Sequence, residues 1–392
     1  MSAAPLIYLL AGEPSGDNLG GRIMQALKAR AGTSLAFAGV GGERMIAEGL
    51  DSLIPLHDLS VFGMAEILRH VPRLYLHINR LAADIRARKP ALVLTIDNPA
   101  FNFAVAARAR GPGIKLVHLN APKVWAYRPG RVHRVARTFD HLLCLLPFEP
   151  PHFHRAGMPA SFIGHPVVES PAGTGDGARF RRRYGIAGDA PLLCVLPGSR
   201  GGEIERLLPV FAQAVRMIAA HIPGLRLVLP TVGAMEAAVR AGTAAWTPAP
   251  IVVLDEVEKC DAFAAATVAL AASGTVSLEL ALARLPMVIA YRVSSLTATI
   301  ARRLVRVKYV TIANLVLDKP VVPELLQQDC TPERLAEAVL GLLRDPAARA
   351  EQVRLTGEVM RMLGLGGPAP SVRAADILLD VAGIPRLSGP VV

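Results

Sequence analysis

The chain has 392 residues, of which 52% are hydrophobic and 19% are charged. This length and composition favour a globular protein of two domains. The net charge of +11 at pH 7 predicts an anionic partner, such as a phosphorylated metabolite or an acidic lipid headgroup. The chain shows no RNA-binding pattern of basic residues interleaved with aromatic ones, so we expect no nucleic-acid partner.

The chain starts without a basic region and enters an apolar run almost at once, which argues against a signal peptide. Its four cysteines are far apart and form no C-x-x-C pair, which is typical of a reducing compartment and predicts no metal cluster. The most apolar window, residues 262–283, contains Ser273, Thr275 and Glu279, which fit a buried strand, loop and helix better than a membrane span. We therefore expect a soluble protein that is peripheral on a membrane at most.

The chain begins with an apolar run at Leu6–Leu10, which is followed by the sequence AGEPSGDNLGG at residues 11–21 and then by apolar residues at helical spacing. This order predicts a strand, a turn and a helix. The core-facing side of that helix is predicted to carry Leu19, Ile23, Ala26 and Leu27. The loop lacks the G-x-G-x-x-G spacing of a dinucleotide fold, and Glu13 and Asp17 would repel a phosphate. We expect it either to bind a hydroxyl-rich ligand or to be an ordinary turn.

Residues 57–80 form an apolar stretch that is interrupted by Arg69, Arg73 and Arg80. One interpretation is a buried helix with a basic edge. The other is an exposed surface for acyl chains or a bilayer, because large apolar patches rimmed by charge usually bind a partner. The sequence leaves both interpretations open.

Residues 91–102, ALVLTIDNPAFN, contain a buried strand that ends at Asp97. A carboxylate just beyond such a strand lies where open α/β sheets bind their ligands. Asp97 is therefore a candidate general base, which would take a proton from an attacking hydroxyl. The alternative is an aspartate that caps the next turn, with Pro99 closing it.

A basic helix is predicted to follow the next strand. Arg131, Arg134 and Arg137 are spaced by three residues, so they share one helical face. That face is either a solvated surface or an anion-binding wall. The Pro-, Gly- and Ser-rich stretch Pro166–Gly177 then predicts an interdomain linker.

The order of strand, Gly/Ser loop and helix recurs at residues 192–211, LLCVLPGSRGGEIERLLPVF. Its loop contains Gly198, Ser199 and Arg200, where backbone N–H groups, a guanidinium and a helix N-terminus favour an anion. Further strands are predicted near Arg226–Leu229, Ile251–Leu254, Val268–Ala271 and Met287–Ala290. The repetition predicts two Rossmann-like α/β domains that face a central cleft, with phosphate at the second domain.

The segment SGTVSLELAL, residues 273–282, is the key motif of the second half. Ser273, Gly274 and Thr275 open a helix, and Glu279 lies one turn further on the same face. This suits a diphosphate at the loop and a carboxylate that accepts hydrogen bonds from ribose hydroxyls. Stability of the helix start alone would also explain the small polar residues.

Residues 292–308 predict a basic amphipathic helix, which is either an anchor on anionic lipid or an ordinary surface helix. The tail after Gly364 is rich in glycine and proline, and a short helix is predicted at Val372–Val381. Such a segment could cross back to the first domain.

Together these motifs resemble the lipid-A-disaccharide synthase family, bacterial glycosyltransferases with the two-domain GT-B fold. The matching stretches occur in order over nearly the whole chain: AGEPSGDNLG, GVGGERM, IDNPAFN, WAYRPGR, LPFE, IGHP, LPGSRGGE, SGTVSLE and the YV-x-x-x-NL of Tyr309–Leu315. The combination of AGE-x-SGD, LPGSR and SGT-x-x-LE is far more specific than any single glycine loop. Small departures occur in IDNPAFN, WAY and HPVVES. In the first of these, Ala100 replaces a more usual Asp and weakens the argument for a second carboxylate beside Asp97.

The resemblance implies an inverting transfer of 2,3-diacylglucosamine from its UDP derivative to 2,3-diacylglucosamine 1-phosphate. The products would be a β-1,6-linked disaccharide and UDP, with no cofactor, and the absence of a D-x-D sequence predicts no metal. It also implies an acceptor domain at residues 1–168, a UDP-sugar domain at 169–365 and a C-terminal segment at 366–392. The enzyme would dock on the cytoplasmic face of the anionic inner membrane, and its apolar helical faces leave room for a homodimer.

In this reaction Asp97 is the expected base, and Glu13 and Asp17 would orient acceptor hydroxyls or share the proton. The residues expected to bind substrate are Ser15, Gly16, Gly198, Ser199, Arg200, Ser273, Gly274, Thr275, Glu279 and Asn314. The rivals are another UDP-sugar enzyme of the same fold (a hydrolysing epimerase or a different glycosyltransferase), an NAD-dependent oxidoreductase and a non-catalytic membrane-associated protein. The apolar segment argues against the first, the missing G-x-G-x-x-G against the second, and the carboxylate cluster against the third.

Overall fold

The computed structural model of the chain describes residues 4–59, 64–126, 130–293 and 307–387, with the side chains of residues 64–71 left out. The chain divides into two units, each with its own parallel sheet. The first unit contains Met1–Pro166 and Leu363–Val392, and the second unit contains Val167–Met362.

The first unit is built on a seven-stranded sheet with the order β3-β2-β1-β4-β5-β6-β7. Its strands are β1 (Leu6–Ala11), β2 (Ala36–Val40), β3 (Asp51–Ser52), β4 (Leu92–Ile96), β5 (Lys115–Leu119), β6 (His141–Cys144) and β7 (Ala160–Phe162). Its helices before Pro166 within the described residues are α1 (Pro14–Arg30), α2 (Glu43–Ala47), α3 (Met64–Arg88), α4 (Pro99–Ala109), α5 (Arg131–Thr138) and α6 (Pro150–His154). Every strand pairing is parallel. The strand order reverses between β1 and β4, which makes this edge the expected ligand position of a Rossmann-like sheet.

The strands of this sheet are nearly continuous apolar runs because both of its faces are covered. Tyr8 and Leu10 face one buried cluster, and Ile7 and Leu9 face the other. This alternation is the two-residue period of a strand. The sheet therefore lies between two hydrophobic layers.

The second unit repeats the arrangement in six parallel strands with the order β10-β9-β8-β11-β12-β13. Its strands are β8 (Leu192–Leu196), β9 (Arg226–Pro230), β10 (Pro250–Val253), β11 (Val268–Ala272), β12 (Met287–Tyr291) and β13 (Glu324–Leu326). Its helices within the described residues are α7 (Gly177–Arg183), α8 (Gly201–His221), α9 (Glu236–Thr243), α10 (Glu256–Ala265), α11 (Val276–Leu282), α12 (Ile312–Leu317), α13 (Pro332–Arg344) and α14 (Pro346–Met362). Here the order reverses between β8 and β11.

The last helix, α15 (Pro370–Ala382), belongs to the first unit and packs on α1. Leu378 and Leu379 are buried in the same cluster as Leu27 of α1. The Arg30 guanidinium Nε lies 2.7 Å from the Asp376 carboxylate, so an ion pair closes the edge of this contact. A C-terminal helix thus completes the core of the N-terminal sheet.

The predicted α/β fold class and its core faces are confirmed. The four residues predicted to form the inner face of α1, Leu19, Ile23, Ala26 and Leu27, are all buried. The four further strands predicted in the second unit lie within one residue of their predicted ends, and β13 was not predicted. The four cysteines are free thiols in buried positions.

Two predicted surfaces lie partly outside the described residues. Within the described part of α3, Leu74 and Ile78 pack against the core, whereas Tyr75 and Leu76 are 54% and 68% exposed. The side chains of the same stretch before residue 72 lie outside the description, as do residues 294–306 of the basic helix predicted at 292–308. Among the described helices, none has the length and apolarity needed to cross a membrane.

Candidate active site

The second unit contains a cavity of about 560 Å³, which we call the second-unit cavity. Its walls come from the segments that follow β8, β9, β10 and β11, at the carboxyl ends of these strands. This is the point where the strand order reverses, and its volume lies in the range of small-molecule sites. Seven residues selected from the sequence line this one cavity: Gly198, Ser199, Arg200, Ser273, Gly274, Thr275 and Glu279.

The loop after β8 is shaped by a carboxylate at the start of α8. The Ser199 backbone N–H donates to Glu203 Oε2 at 3.1 Å. Gly198 has φ +120°, and a Cβ atom there would lie 2.5 Å from the same oxygen, so the position requires glycine. Arg200 is the N-cap residue of the 21-residue α8. The free N–H groups of a helix start and the guanidinium favour an anion here.

The loop after β11 forms the neighbouring wall. The Ser277 hydroxyl donates to the Gly274 carbonyl at 2.8 Å, which holds the turn that Ser273 and Thr275 border. Glu279 follows one turn later and also lines the cavity. Its carboxylate Oε2 lies 3.2 Å from Lys259 Nζ.

Lys259 is a cavity residue that the sequence analysis missed. Its ammonium group also lies 2.7 Å from Glu256 Oε1. Burial lowers the pKa of Lys259, but Glu279 and Glu256 outweigh burial and the net pKa is raised, so the ammonium stays charged. Nothing in the local sequence marks Lys259, because its pairing with Glu279 depends on how α10 packs beside α11.

The charge balance of the cavity shows which groups can attract an anion. Its described lining includes the cations Arg200 and Lys259 and the carboxylates Glu203, Glu256 and Glu279. Both carboxylates that contact Lys259 neutralise it locally. Attraction for an anion must therefore come from Arg200 and the nearby backbone N–H groups rather than from a net positive charge.

A further wall, which the sequence also did not reveal, follows β9 and β10. The buried Thr231 hydroxyl has no hydrogen-bond partner among the described residues, although it lines the cavity. Val232 and Leu254, which line the same side, are 45% and 43% exposed. This wall is suited to an aromatic ring with polar edges: the apolar side chains would pack on its face, and the Thr231 hydroxyl would hydrogen-bond to its edge.

Asn314 does not line the second-unit cavity. Its side-chain Nδ2 donates to the Val322 carbonyl and to Glu324 Oε1, both at 2.8 Å. Its Oδ1 accepts the Val322 N–H at 2.8 Å. The contacts of Asn314 are those of a buried residue that holds the chain before β13, so its predicted role in substrate binding gains no support from its position.

In the first unit, Asp97 follows β4 at the reversal of strand order. Asp97 and Asn98 have φ +53° and +39°, a left-handed conformation that is uncommon outside glycine and is often found at functional sites. Asn102 holds this turn, because its Nδ2 donates to the carbonyl oxygens of Ile96 at 3.1 Å and Asp97 at 2.8 Å. Asp97 Oδ1 accepts the Asn98 N–H at 3.0 Å, and Oδ2 has no partner among the described residues. One carboxylate oxygen is thus available to a ligand.

The first loop lies beside Asp97 because β1 and β4 pair with Ala11 opposite Ile96. A Cβ atom at Gly12 would lie 2.6 Å from Asn98 Nδ2, so the two loops touch. Glu13 precedes α1 and is half-buried, and Ser15 is exposed. Gly16 is buried, and a Cβ there would meet the side chains of Ala11 and Ile96. The structure therefore brings the Glu13 and Asp97 loops together.

Asp17 differs from the other predicted acidic residues, because it is 6% exposed and fully engaged. Its carboxylate accepts the backbone N–H groups of Gly42 at 2.7 Å, Arg44 at 3.0 Å and Met45 at 3.1 Å. These are groups at the start of α2, which otherwise lack partners. We therefore revise the expectation for Asp17: its contacts indicate a structural role in joining α1 to α2, not a proton acceptor.

Glu149, in the motif LPFE, is a buried carboxylate that contacts Trp125 in the first unit. Its Oε1 accepts the Trp125 Nε1–H at 3.2 Å, and Oε2 accepts the N–H groups of Leu145 and Leu146 at 3.2 and 3.0 Å. Burial raises the pKa of Glu149 to about 7 although these hydrogen bonds lower it. Within the described ranges, no three His, Cys, Asp or Glu side chains are grouped so that they could hold a metal ion.

The fold is that of the GT-B glycosyltransferases and related sugar-nucleotide enzymes. MurG from Acinetobacter baumannii matches with a TM-score of 0.60 and 14% identity, over 96% of this chain and 99% of that one. The UDP-GlcNAc 2-epimerase from Neisseria meningitidis, solved with UDP-GlcNAc, matches with a TM-score of 0.63 and 11% identity, over 96% and 98% of the two chains. At such identities the likeness defines the fold alone.

Sequence comparisons give the family. The model of the lipid-A-disaccharide synthetase family matches residues 7–365. The lipid-A-disaccharide synthase of Rhodospirillum centenum is 52% identical over 378 residues, which cover 96% of this chain and 94% of the relative. That of Paramagnetospirillum magneticum is 48% identical over 379 residues, or 96% and 97% of the two chains. The chain belongs to the lipid-A-disaccharide synthase family of glycosyltransferases.

Proposed function

We propose that the enzyme transfers 2,3-diacylglucosamine from its UDP derivative to the 6-hydroxyl of 2,3-diacylglucosamine 1-phosphate, with inversion at the anomeric carbon. The products are a β-1,6-linked disaccharide 1-phosphate and UDP. The observation that carries the proposal is the second-unit cavity, which gathers an N-cap arginine, two polar loops and a carboxylate at the reversal of strand order. These are the parts that a nucleoside diphosphate requires.

In this proposal the donor's UDP occupies the second-unit cavity. The diphosphate lies near Arg200 and the start of α8, where charge that develops on the leaving group is stabilised. Glu279, whose Oε2 accepts a hydrogen bond from Lys259 Nζ, accepts further hydrogen bonds from the ribose hydroxyls. The base lies towards Thr231 and the apolar side chains next to it, where the unsatisfied hydroxyl can pair with a polar ring edge.

The acceptor binds in the first unit, with Asp97 as the general base. The free carboxylate oxygen of Asp97 takes the proton of the acceptor 6-hydroxyl while the oxygen of that hydroxyl attacks the anomeric carbon of the donor. The bond from the anomeric carbon to the diphosphate oxygen breaks in the same step, and its electron pair leaves with UDP. Glu13 orients an acceptor hydroxyl from the adjacent loop, whereas Asp17 joins α1 to the start of α2.

We propose further that the protein is peripheral on an anionic bilayer through the exposed part of α3. Tyr75 and Leu76 are exposed apolar side chains there, with Arg73 and Arg80 exposed beside them. Cosedimentation with phosphatidylglycerol vesicles should exceed that with phosphatidylcholine vesicles and fall in Leu76→Ser. Unchanged cosedimentation together with a halved sedimentation mass in that variant would assign the same surface to a homodimer.

The test of the reaction is UDP release by the purified protein in mixed detergent micelles. UDP-2,3-diacylglucosamine is supplied with and without the 1-phosphate acceptor, and UDP-N-acetylglucosamine serves as the control donor. Release that requires both acylated sugars, with a β-linked product by NMR, is the expected result. UDP release from the control donor without acceptor would instead indicate an epimerase or hydrolase and would overturn the proposal.

A further inference from the structure

The first unit contains a second cavity, of about 340 Å³, which we call the first-unit cavity. It is lined by Pro99, Ala100, Phe103, Pro122, Arg131 and Arg134. On its α4 side the lining begins at Pro99, two residues after the proposed base Asp97. Nothing in the proposed chemistry of Asp97 itself uses this space.

Apolar and aromatic side chains form one wall of the first-unit cavity and the layer next to it. The Phe103 ring packs edge-on against His118 at 4.8 Å and against Phe139 at 5.0 Å. Burial lowers the pKa of His118 to about 3, so the imidazole beneath Phe103 is neutral. Among the described residues that line this cavity, the charged side chains are Arg131 and Arg134.

The arginines are placed by the packing of α5. Val132 and Val135 are buried in the core, and Arg131 and Arg134, on the adjoining side of the helix, line the first-unit cavity. Among the residues that the structure describes, no carboxylate forms an ion pair with Arg134. Arg137, one turn further along α5, is exposed and does not line the cavity. An apolar pocket with a guanidinium at its edge is suited to an alkyl group that carries an anion.

We propose that the first-unit cavity binds the phosphomonoester of the acceptor, with Arg134 and Arg131 on the phosphate and the apolar wall against the first part of an acyl chain. This rests on the proposed function, because it identifies the sugar in this unit as the phosphorylated one. Arginine forms charge-assisted, often paired hydrogen bonds with phosphate, so the arginines select an acceptor that carries this group.

The kinetic test compares Arg134→Gln with the matched variant Arg137→Gln from the same helix. Arg134→Gln should raise the KM for the 1-phosphate acceptor about ten- to hundredfold, with the donor KM unchanged. Arg137→Gln should leave both values unchanged, and Arg134→Lys should restore part of the loss. With dephosphorylated 2,3-diacylglucosamine as acceptor, the wild type and Arg134→Gln should react equally slowly. An unchanged acceptor KM in Arg134→Gln would overturn the inference.

A binding test that needs no turnover separates this inference from the proposed reaction. Isothermal titration of the full chain with octyl phosphate, below its micelle concentration, should show binding that Arg134→Gln weakens and Arg137→Gln does not. Octyl glucoside should show no such difference. If the wild type forms no disaccharide but this binding pattern is found, the proposed reaction is rejected and the proposed phosphate site is retained. If Arg134→Gln reduces binding to phosphatidylglycerol vesicles and leaves octyl phosphate binding intact, the arginine serves a bilayer and the inference is wrong.

Discussion

The two units share one strand order around their reversal point, but the loops at that point have different chemistry. In the first unit, the loops after β1 and β4 carry Glu13 and Asp97, and the turn at Asp97 is left-handed. In the second unit, the loops after β8 and β11 carry an arginine and small polar residues around a cavity of about 560 Å³. A parallel sheet determines where a ligand binds, whereas the loop residues determine which ligand. The pair is suited to activating a hydroxyl in one unit and stabilising a diphosphate in the other.

The comparison is tested most severely at Asp97. Asp97→Asn keeps the shape of the side chain but cannot accept the proton, so kcat should fall by about 10²–10⁴-fold. UDP binding, measured by isothermal titration, should be unchanged because the second unit is intact. Asp51→Asn, at an exposed position of the same unit, is the control. Near-normal turnover by Asp97→Asn would remove Asp97 from the mechanism.

The corresponding change in the second unit is Arg200→Gln. Loss of a charge-assisted contact to the diphosphate should weaken UDP binding by about ten- to hundredfold and raise the donor KM. The acceptor KM should stay constant, which is the reverse of the pattern expected for Arg134→Gln. Arg240→Gln, whose guanidinium pairs with Glu236 on the surface, is a matched control. Equal UDP affinity in the two variants would contradict an anion site at Arg200.

Asp17→Ala distinguishes the structural carboxylate of the first loop from the proposed catalytic one. It leaves three backbone N–H groups of the α2 start without their acceptor, which should reduce the free energy of unfolding by about 1–3 kcal/mol. Urea unfolding followed by circular dichroism measures this loss. The folded fraction should keep most of its kcat. A large loss of kcat with unchanged stability would return Asp17 to the proton network.

The smallest expected effect concerns pH and Glu149. Because the pKa of Glu149 is raised from 4.5 to about 7, the folded chain holds a proton between these values that the unfolded chain releases. Its contribution to stability is therefore fully present below about pH 4.5 and is lost as the pH rises through about 7.

Buried histidines act in the opposite direction over much of this range, because burial lowers the pKa of His118 to about 3 and that of His165 to about 4. The informative quantity is therefore the difference between the wild type and Glu149→Gln in urea unfolding from pH 4 to 8. The wild type should lose stability relative to the variant as the pH rises. A difference that does not depend on pH would show that Glu149 is ionised in the folded chain throughout.

Much of the second-unit site could be predicted from the sequence, because its residues are local to two strand-loop-helix motifs. Gly198, Arg200 and Thr275 are each within a few residues of the end of a buried strand, and the sheet brings such ends together. Asp97 was predictable for the same reason. Lys259, Thr231 and Arg134 were not assigned to cavities, because their places depend on which helix or strand packs beside them.

The sequence by itself determined the two α/β units, their strand ends and the polar loops, since apolar runs and glycine breaks are local signals with a defined period. Tertiary structure decided what each charged group contacts. Asp17 and Asp97 both lie shortly after the end of a strand. The Asp17 carboxylate accepts N–H groups from residues more than 20 positions away, whereas one oxygen of Asp97 has no partner among the described residues. In the same way, α15 follows the second unit in the sequence but is part of the first unit's core. Contacts between residues so distant in sequence depend on the packing of whole elements, which no local pattern records.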